Sequence, residues 1–145
     1  MFPSDLLTTQ RKFMYLYESF CIPLCKKYQL NQSDLDMMLF LANNPSYNTA
    51  RDVCEIRGMK KGIVSVTTER LVKQGYLIRE NDSADRRIQR LYLTKLCQGI
   101  VTEGKQMQRH FLEAITSELT EEEMLLYQKI SDKIRTQIIK LEKEL

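Results

Sequence analysis

The 145-residue chain has no tryptophan, one histidine and only five glycines, and its four cysteines form no CxxC pair and no Cys/His zinc spacing. Each absence removes a class of chemistry. His110, alone beside Met107 and Phe111, has no second ligand in sequence and reads as an ordinary packed residue. Cys21, Cys25, Cys54 and Cys97 lack zinc-site spacing, so no metal and no cofactor is implied. There is no Gly-rich phosphate loop and no Ser/His/Asp set, which leaves no reaction to assign and argues against an enzyme. No apolar run approaches the length of a membrane span, and the N-terminus MFPSDLLTTQRKF lacks a signal-peptide core, so the expected location is the cytoplasm, with no membrane partner. No internal repeat, low-complexity tract or long linker breaks the chain. Its length suits one domain over residues 1–145 with a modest core.

What is present is a pattern of helices and a local excess of positive charge. The net charge is +3, but residues 51–90 hold ten Lys/Arg against six Asp/Glu, while the remainder holds twelve against thirteen. The positive excess therefore lies in one central block, as an electrostatic footprint for a polyanion would. Around that block, apolar spacing predicts a helix over 7–28 (Phe13, Leu16, Tyr17, Phe20, Leu24), interrupted near its end by Pro23. Asn31 with Asp34 three residues on starts a second helix, and Asn43-Asn44-Pro45-Ser46 stops it. Asn48 or Thr49 caps a short helix to about Ile56, Gly58 turns the chain, and Lys60–Gln74 forms the next helix, closed by Gly75. Thr94 is the expected cap of a long helix to about Leu119, striped with Ile100, Met107, Phe111 and Ile115. Thr120 and Glu123 make a capping box for a last helix carrying Tyr127, Ile130, Ile134, Ile138, Leu141 and Leu145 on one stripe.

Two segments of the central block carry the functional argument. Cys54, Gly58 and Val64 have the small–turn–aliphatic spacing of a helix-turn-helix. Val53, Val64, Thr67 and Leu71 would then face the core, and Lys60, Lys61, Gly62, Ser65, Val66 and Glu69 would face outward. Two lysines at a helix N-terminus oppose its macrodipole, by about 0.3–1 kcal/mol each, a penalty that bound phosphate would reverse. Gly62, Ser65 and Val66 keep the middle of the face short and flat, which permits close approach to base edges. The candidate recognition set is Lys60, Lys61, Gly62, Ser65, Val66 and Thr67. Tyr76-Leu77-Ile78-Arg79 and the alternating Ile88–Leu93 then read as two strands joined by a charged turn, Asp82–Asp85. The candidate wing set is Asp85, Arg86, Arg87 and Arg90. A basic hairpin directly after a helix-turn-helix is a winged-helix layout, whose protruding cations can reach phosphates or enter a minor groove.

The run Gly62–Leu77 (GIVSVTTERLVKQGYL), followed by Asp85-Arg86-Arg87 and Leu91-Tyr92-Leu93-Thr94, resembles the MarR family of winged-helix transcriptional regulators, and the flanking helices match that family's order. The resemblance implies a mainly α fold with a small β-hairpin wing: a winged-helix lobe over 30–94, with 1–29 and 95–145 forming dimerisation helices. It implies a homodimer on double-stranded DNA, one recognition helix per major groove, wing tips in the flanking minor grooves, and affinity modulated by a small-molecule or redox effector. It implies that Arg87 is the minor-groove arginine and that Asp85 holds the wing arginines by charge-assisted hydrogen bonds. Arg86 and Arg90 would contact phosphates or support the wing. Several family members carry arginine where this chain has Val66, so any contact there would be apolar, for instance with a thymine methyl.

Other residues admit two readings. Cys21 and Cys25, one helical turn apart, could form a redox switch or could be small buried apolar residues. An i, i+4 pair is poorly placed for a disulfide within one helix. Tyr15, Tyr17 and Tyr28 could line an effector pocket or pack an interface. The competing function is a winged-helix adaptor that docks its wing on acidic protein surfaces without specific DNA binding.

Overall fold

Short-range capping signals set three of the helix starts in the computed structural model, which describes residues 3–145. Helix α1 spans Pro3–Tyr28, α2 Gln32–Asn43 and α3 Ala50–Asp52, the last continuing as a π-helical stretch, Val53–Arg57. Helix α4 is Lys61–Lys73, strands β1 and β2 are Leu77–Asn81 and Gln89–Leu93, and α5 and α6 are Gln98–Ile115 and Glu121–Lys143. Asn31/Asp34, Thr49/Asp52 and Thr120/Glu123 each form a reciprocal capping box. Such caps satisfy backbone donors that the first helical turn leaves open, and each contributes about 1 kcal/mol.

The residues gather into two compact units, Met1–Arg109 and His110–Leu145. The first holds a continuous core. Its centre is α2, whose Leu35, Met37, Met38 and Leu39 are at most 1% exposed. Cys21 and Leu24 from α1, Val53, Val64 and Leu71 from the helix-turn-helix, Leu77 and Leu91 from the strands, and Ile100 from α5 belong to the same cluster. In the second unit α6 buries no residue: Leu125, Tyr127, Ile130, Ile134, Ile138 and Leu141 remain 47–68% exposed. At about 25 cal/mol per Å², this much apolar surface left in water is a standing drive toward association.

The structure departs from local expectation in three places. Helix α1 runs through Pro23 to Tyr28 instead of breaking there. Pro23 lies on the exposed side of the helix, where water can replace the bond its missing N–H forfeits. Thr94 does not cap the following helix; its hydroxyl donates to the Gly75 carbonyl at 2.6 Å, and a 3-10 turn, Lys95–Cys97, precedes α5. Helix α5 also ends at Ile115, before Leu119.

Gly58 and Gly75 have φ of 78° and 82°, a region that side chains disfavour. The first turns the chain between the helices of the helix-turn-helix, and the second closes α4. Directly after Gly75, β1 pairs antiparallel with β2 in the register Leu77↔Leu93, Ile78↔Tyr92, Arg79↔Leu91, Glu80↔Arg90 and Asn81↔Gln89. Leu77 and Leu91 point inward while Ile78 and Tyr92 face solvent, as a one-sided hairpin requires. A further bridge joins Thr49 to Arg90, so β2 is flanked by β1 and by the segment leading into α3.

Candidate nucleic-acid interface

Helix α4 begins with Lys60 as its N-cap, which makes no side-chain capping bond, and Lys61 as its first residue. Lys60, Lys61, Gly62, Ser65 and Val66 are all exposed, Val66 by 60%. Thr67 is 1% exposed and leaves the recognition set: it belongs to the core stripe with Val64 and Leu71. Its spacing from Val64 and Leu71, three and four residues away, already puts it on that side of a helix. The sequence reading missed Ile63, which is 45% exposed beside Gly62 and widens the apolar part of the outer face.

The rest of α4 is fixed to its surroundings by charge. Arg70 donates through Nε and Nη2 to Oδ1 of Asp34, at 2.9 and 2.6 Å. On the outer side, Glu69 pairs with Arg79 of β1, tying α4 to the hairpin. One open groove of about 590 Å³ is lined by Lys61, Ser65 and Glu69 of α4, by Arg79 and Gln89 of the hairpin, and by Arg51 and Glu55 of the preceding helix.

At the wing tip, Asp85 accepts from Arg87 twice in parallel, Nε to Oδ1 and Nη2 to Oδ2, both at 3.0 Å. Its Oδ1 also accepts the Arg87 backbone N–H at 3.1 Å. The Arg87 guanidinium beside Asp85 holds that carboxyl below the usual carboxylate range. Arg87 nonetheless keeps 90% of its side chain in solvent. Arg86 is exposed. Arg90 is different: only 32% of its side chain is accessible, its Nε donates to Asp82 at 2.7 Å, and its Nη1 donates to Asn48 at 2.9 Å. Of the two roles open to Arg90, this geometry favours wing support over phosphate contact. The sequence reading missed Asn48 as a wing residue, and it placed Asp82 in the charged turn without giving it a role. An Asp opening a turn signals an Asx-type cap, and Asp82 does accept the Ala84 and Asp85 amides.

The paired cysteines pack as apolar residues. Cys21 is fully buried and Cys25 half-buried. Burial pushes the Cys21 thiol up, and pushes Cys25 up to about 11. Burial disfavours the thiolate at both positions, which argues against the redox-switch reading. Among the tyrosines, Tyr17 accepts from Gln108 at 2.9 Å, and Tyr28 donates to Glu103, which also pairs with Lys27 at 2.5 Å. Burial carries the Tyr17 hydroxyl up to about 12. Tyr15 is 73% exposed. Among the described residues there is no cluster of three or more His, Cys, Asp or Glu able to hold a metal, and no helix long and apolar enough to cross a membrane.

Comparison with known proteins agrees with this geometry. Residues 28–88, from the end of α1 through the wing tip, match the MarR family profile. That stretch is similar to the winged helix of the MarR family. A solved structure of MarR superposes on the whole chain and on 96% of its own length, with a TM-score of 0.75 at 17% identity. The MarR protein from Peptoclostridium difficile gives 0.79 at 17% identity over 95% of this chain and 90% of that one. A MarR family transcriptional regulator from Listeria monocytogenes, solved in complex with 26mer DNA, gives 0.79 at 14% identity over 95% and 89%. No significant match was found among curated protein sequences. The MarR fold thus extends through the helices on either side of the wing.

Proposed function

We propose that this MarR-type chain is a transcriptional regulator, a repressor, that binds double-stranded DNA as a homodimer on a pseudo-palindromic operator. The observation that carries the reading is that one lobe exposes both the lysine-fronted face of α4 and an arginine-tipped hairpin. Lys60 and Lys61 would meet phosphates at the start of the recognition helix, Ser65 and Val66 would approach base edges, and Arg87 would enter the adjoining minor groove. The Listeria monocytogenes relative in complex with DNA supports the same use of the fold.

Dimerisation supplies the geometry. Two recognition helices must sit about one turn of DNA apart, roughly 34 Å. The exposed stripe of α6 is the surface that a second copy would cover. A small-molecule effector that changed the disposition of the paired helices would change that spacing and so bias DNA affinity. Acting on DNA, the protein would work in the cytoplasm.

The test is selection of bound sequences from a random duplex pool, followed by salt titration. An enriched palindrome with a steep fall in affinity with salt is the expected result. No enrichment, or a flat salt response, would refute it. Arg87→Ala should abolish the preference for the selected duplex; unchanged DNA affinity in that variant would favour the adaptor reading instead.

A further inference from the structure

One chain of hydrogen bonds links the body of the lobe to the tip of the wing. It starts at Asn48, which is 5% exposed and precedes α3. The Asn48 side chain donates to the Leu91 carbonyl at 3.2 Å, and its backbone carbonyl accepts the Leu91 N–H at 2.8 Å, so its position is fixed by β2 on two sides. Asn48 Oδ1 then accepts from Arg90 Nη1, and Arg90 Nε donates to Asp82 Oδ1. The other oxygen of Asp82 accepts two amides of the turn, Ala84 at 3.1 Å and Asp85 at 3.0 Å. Asp85 in turn grips Arg87.

We propose that Arg90 and Asp82 are positioning residues: clamped to Asn48, they fix the turn from which Asp85 presents Arg87 to the minor groove, and Arg90 itself makes no phosphate contact. This rests on the DNA-binding reading above. The planar guanidinium suits the role. It donates in two directions at once, from Nε to Asp82 and from Nη1 to Asn48, which a lysine ammonium on a flexible stem cannot reproduce in the same geometry. Accessibility divides the arginines in the same way, 90% of the side chain for Arg87 against 32% for Arg90. Asp82 is 17% accessible, with one oxygen committed to Arg90 and the other to the turn. Asparagine at that position has a single acceptor oxygen and must give up one of the two.

This assignment makes a prediction whose sign is opposite to that of simple electrostatics. Removing a carboxylate beside a polyanion should tighten binding. If Asp82 positions the wing, Asp82→Asn should instead weaken it. The probe is the duplex enriched by the unaltered chain, and each variant's thermal melt verifies folding. Asp82→Asn and Arg90→Lys are each expected to lose about fivefold or more in affinity, the scale of a misplaced groove arginine. Both losses should shrink to within about twofold in an Arg87→Ala background, because they act through Arg87. Without DNA, tryptic cleavage after Arg86 and Arg87 should accelerate in both variants. Tighter binding by Asp82→Asn, full affinity in Arg90→Lys, or weaker binding with an unchanged cleavage rate would each overturn the proposal. An unaltered chain that enriches no duplex would remove the DNA reading itself, and that is seen before any variant is made.

Discussion

Asp34 is the one buried charge among the described residues, at 3% exposure, and it serves two elements at once. Its Oδ2 accepts the Asn31 N–H at 3.0 Å and completes the cap of α2, while its Oδ1 accepts both Arg70 donors and anchors α4 to α2. Arg70→Met keeps the apolar stem but strands Oδ1 where only 4% of the side chain meets solvent. Removing one partner of a buried pair costs about 3–5 kcal/mol. Arg70 is 32% accessible, so the pair was already partly hydrated, and the loss should fall to about 2–3 kcal/mol. Asp34→Asn frees a guanidinium that can swing into water and spares part of the cap, so about 1–2 kcal/mol is expected. In the double variant no carboxylate is stranded, and the combined loss should fall short of the sum by about 1–2 kcal/mol. Urea unfolding followed by circular dichroism, at one fixed protomer concentration, measures all three. Losses that add to within about 0.5 kcal/mol would refute the coupling, and with it the claim that this pair anchors α4 to α2.

Gly75→Ala forces a side chain into φ of 82° and should cost about 1 kcal/mol, read as a lowered melting temperature; an unchanged or raised value would contradict the left-handed cap. With its thiol near 11, Cys25 should be alkylated by iodoacetamide very slowly at neutral pH, the rate rising about tenfold per pH unit toward 10; fast labelling at pH 7 would restore the redox reading. Ile134→Glu puts a charge in the middle of the α6 stripe twice per symmetric dimer, which at about 1.5–3 kcal/mol per side chain should leave monomers at micromolar concentration in sedimentation; an undisturbed dimer would place the interface elsewhere. The Asp82 and Asp85 carboxyls are held below their ordinary range, chiefly by Arg90 and Arg87. Their contribution is therefore complete above about pH 4 and is lost as pH falls through the depressed values, so the Ala84 and Arg87 amide resonances should hold steady from neutral to about pH 4 and move only below it. Movement between about pH 5 and 6 would contradict the assigned bonds.

The parts of the fold legible in the sequence are those that depend on near neighbours. Asn31 with Asp34 and Thr120 with Glu123 are caps within one turn, and both form. Gly58 and Gly75 stand where the backbone turns left-handed, and the alternation around Leu91 gives the strand. Asp85 and Arg87 are two residues apart, so their pairing was readable from the motif. The illegible parts depend on distant partners. Arg70 and Asp34 are 36 residues apart, and Arg90 and Asn48 are 42 apart; no local periodicity announces either pair. Thr94 shows the same limit. Its hydroxyl looks like a cap by position, yet the Gly75 carbonyl, 19 residues earlier, takes it once the hairpin closes.

The π-helical step at Val53–Arg57 bears on how this chain can change over time. Such a step holds a residue more than the α turn it replaces, and so can absorb a deletion or insertion that a regular helix could not. Losing one residue there would restore a regular α turn and leave Gly58 at its corner, whereas losing a second would rotate everything after it by about 100° around the helix axis. Shortening the hairpin tip would do nothing comparable. Residue number in this short stretch, more than residue identity, decides which flank of α4 is turned outward. One change in length is therefore tolerated here, and a second is not.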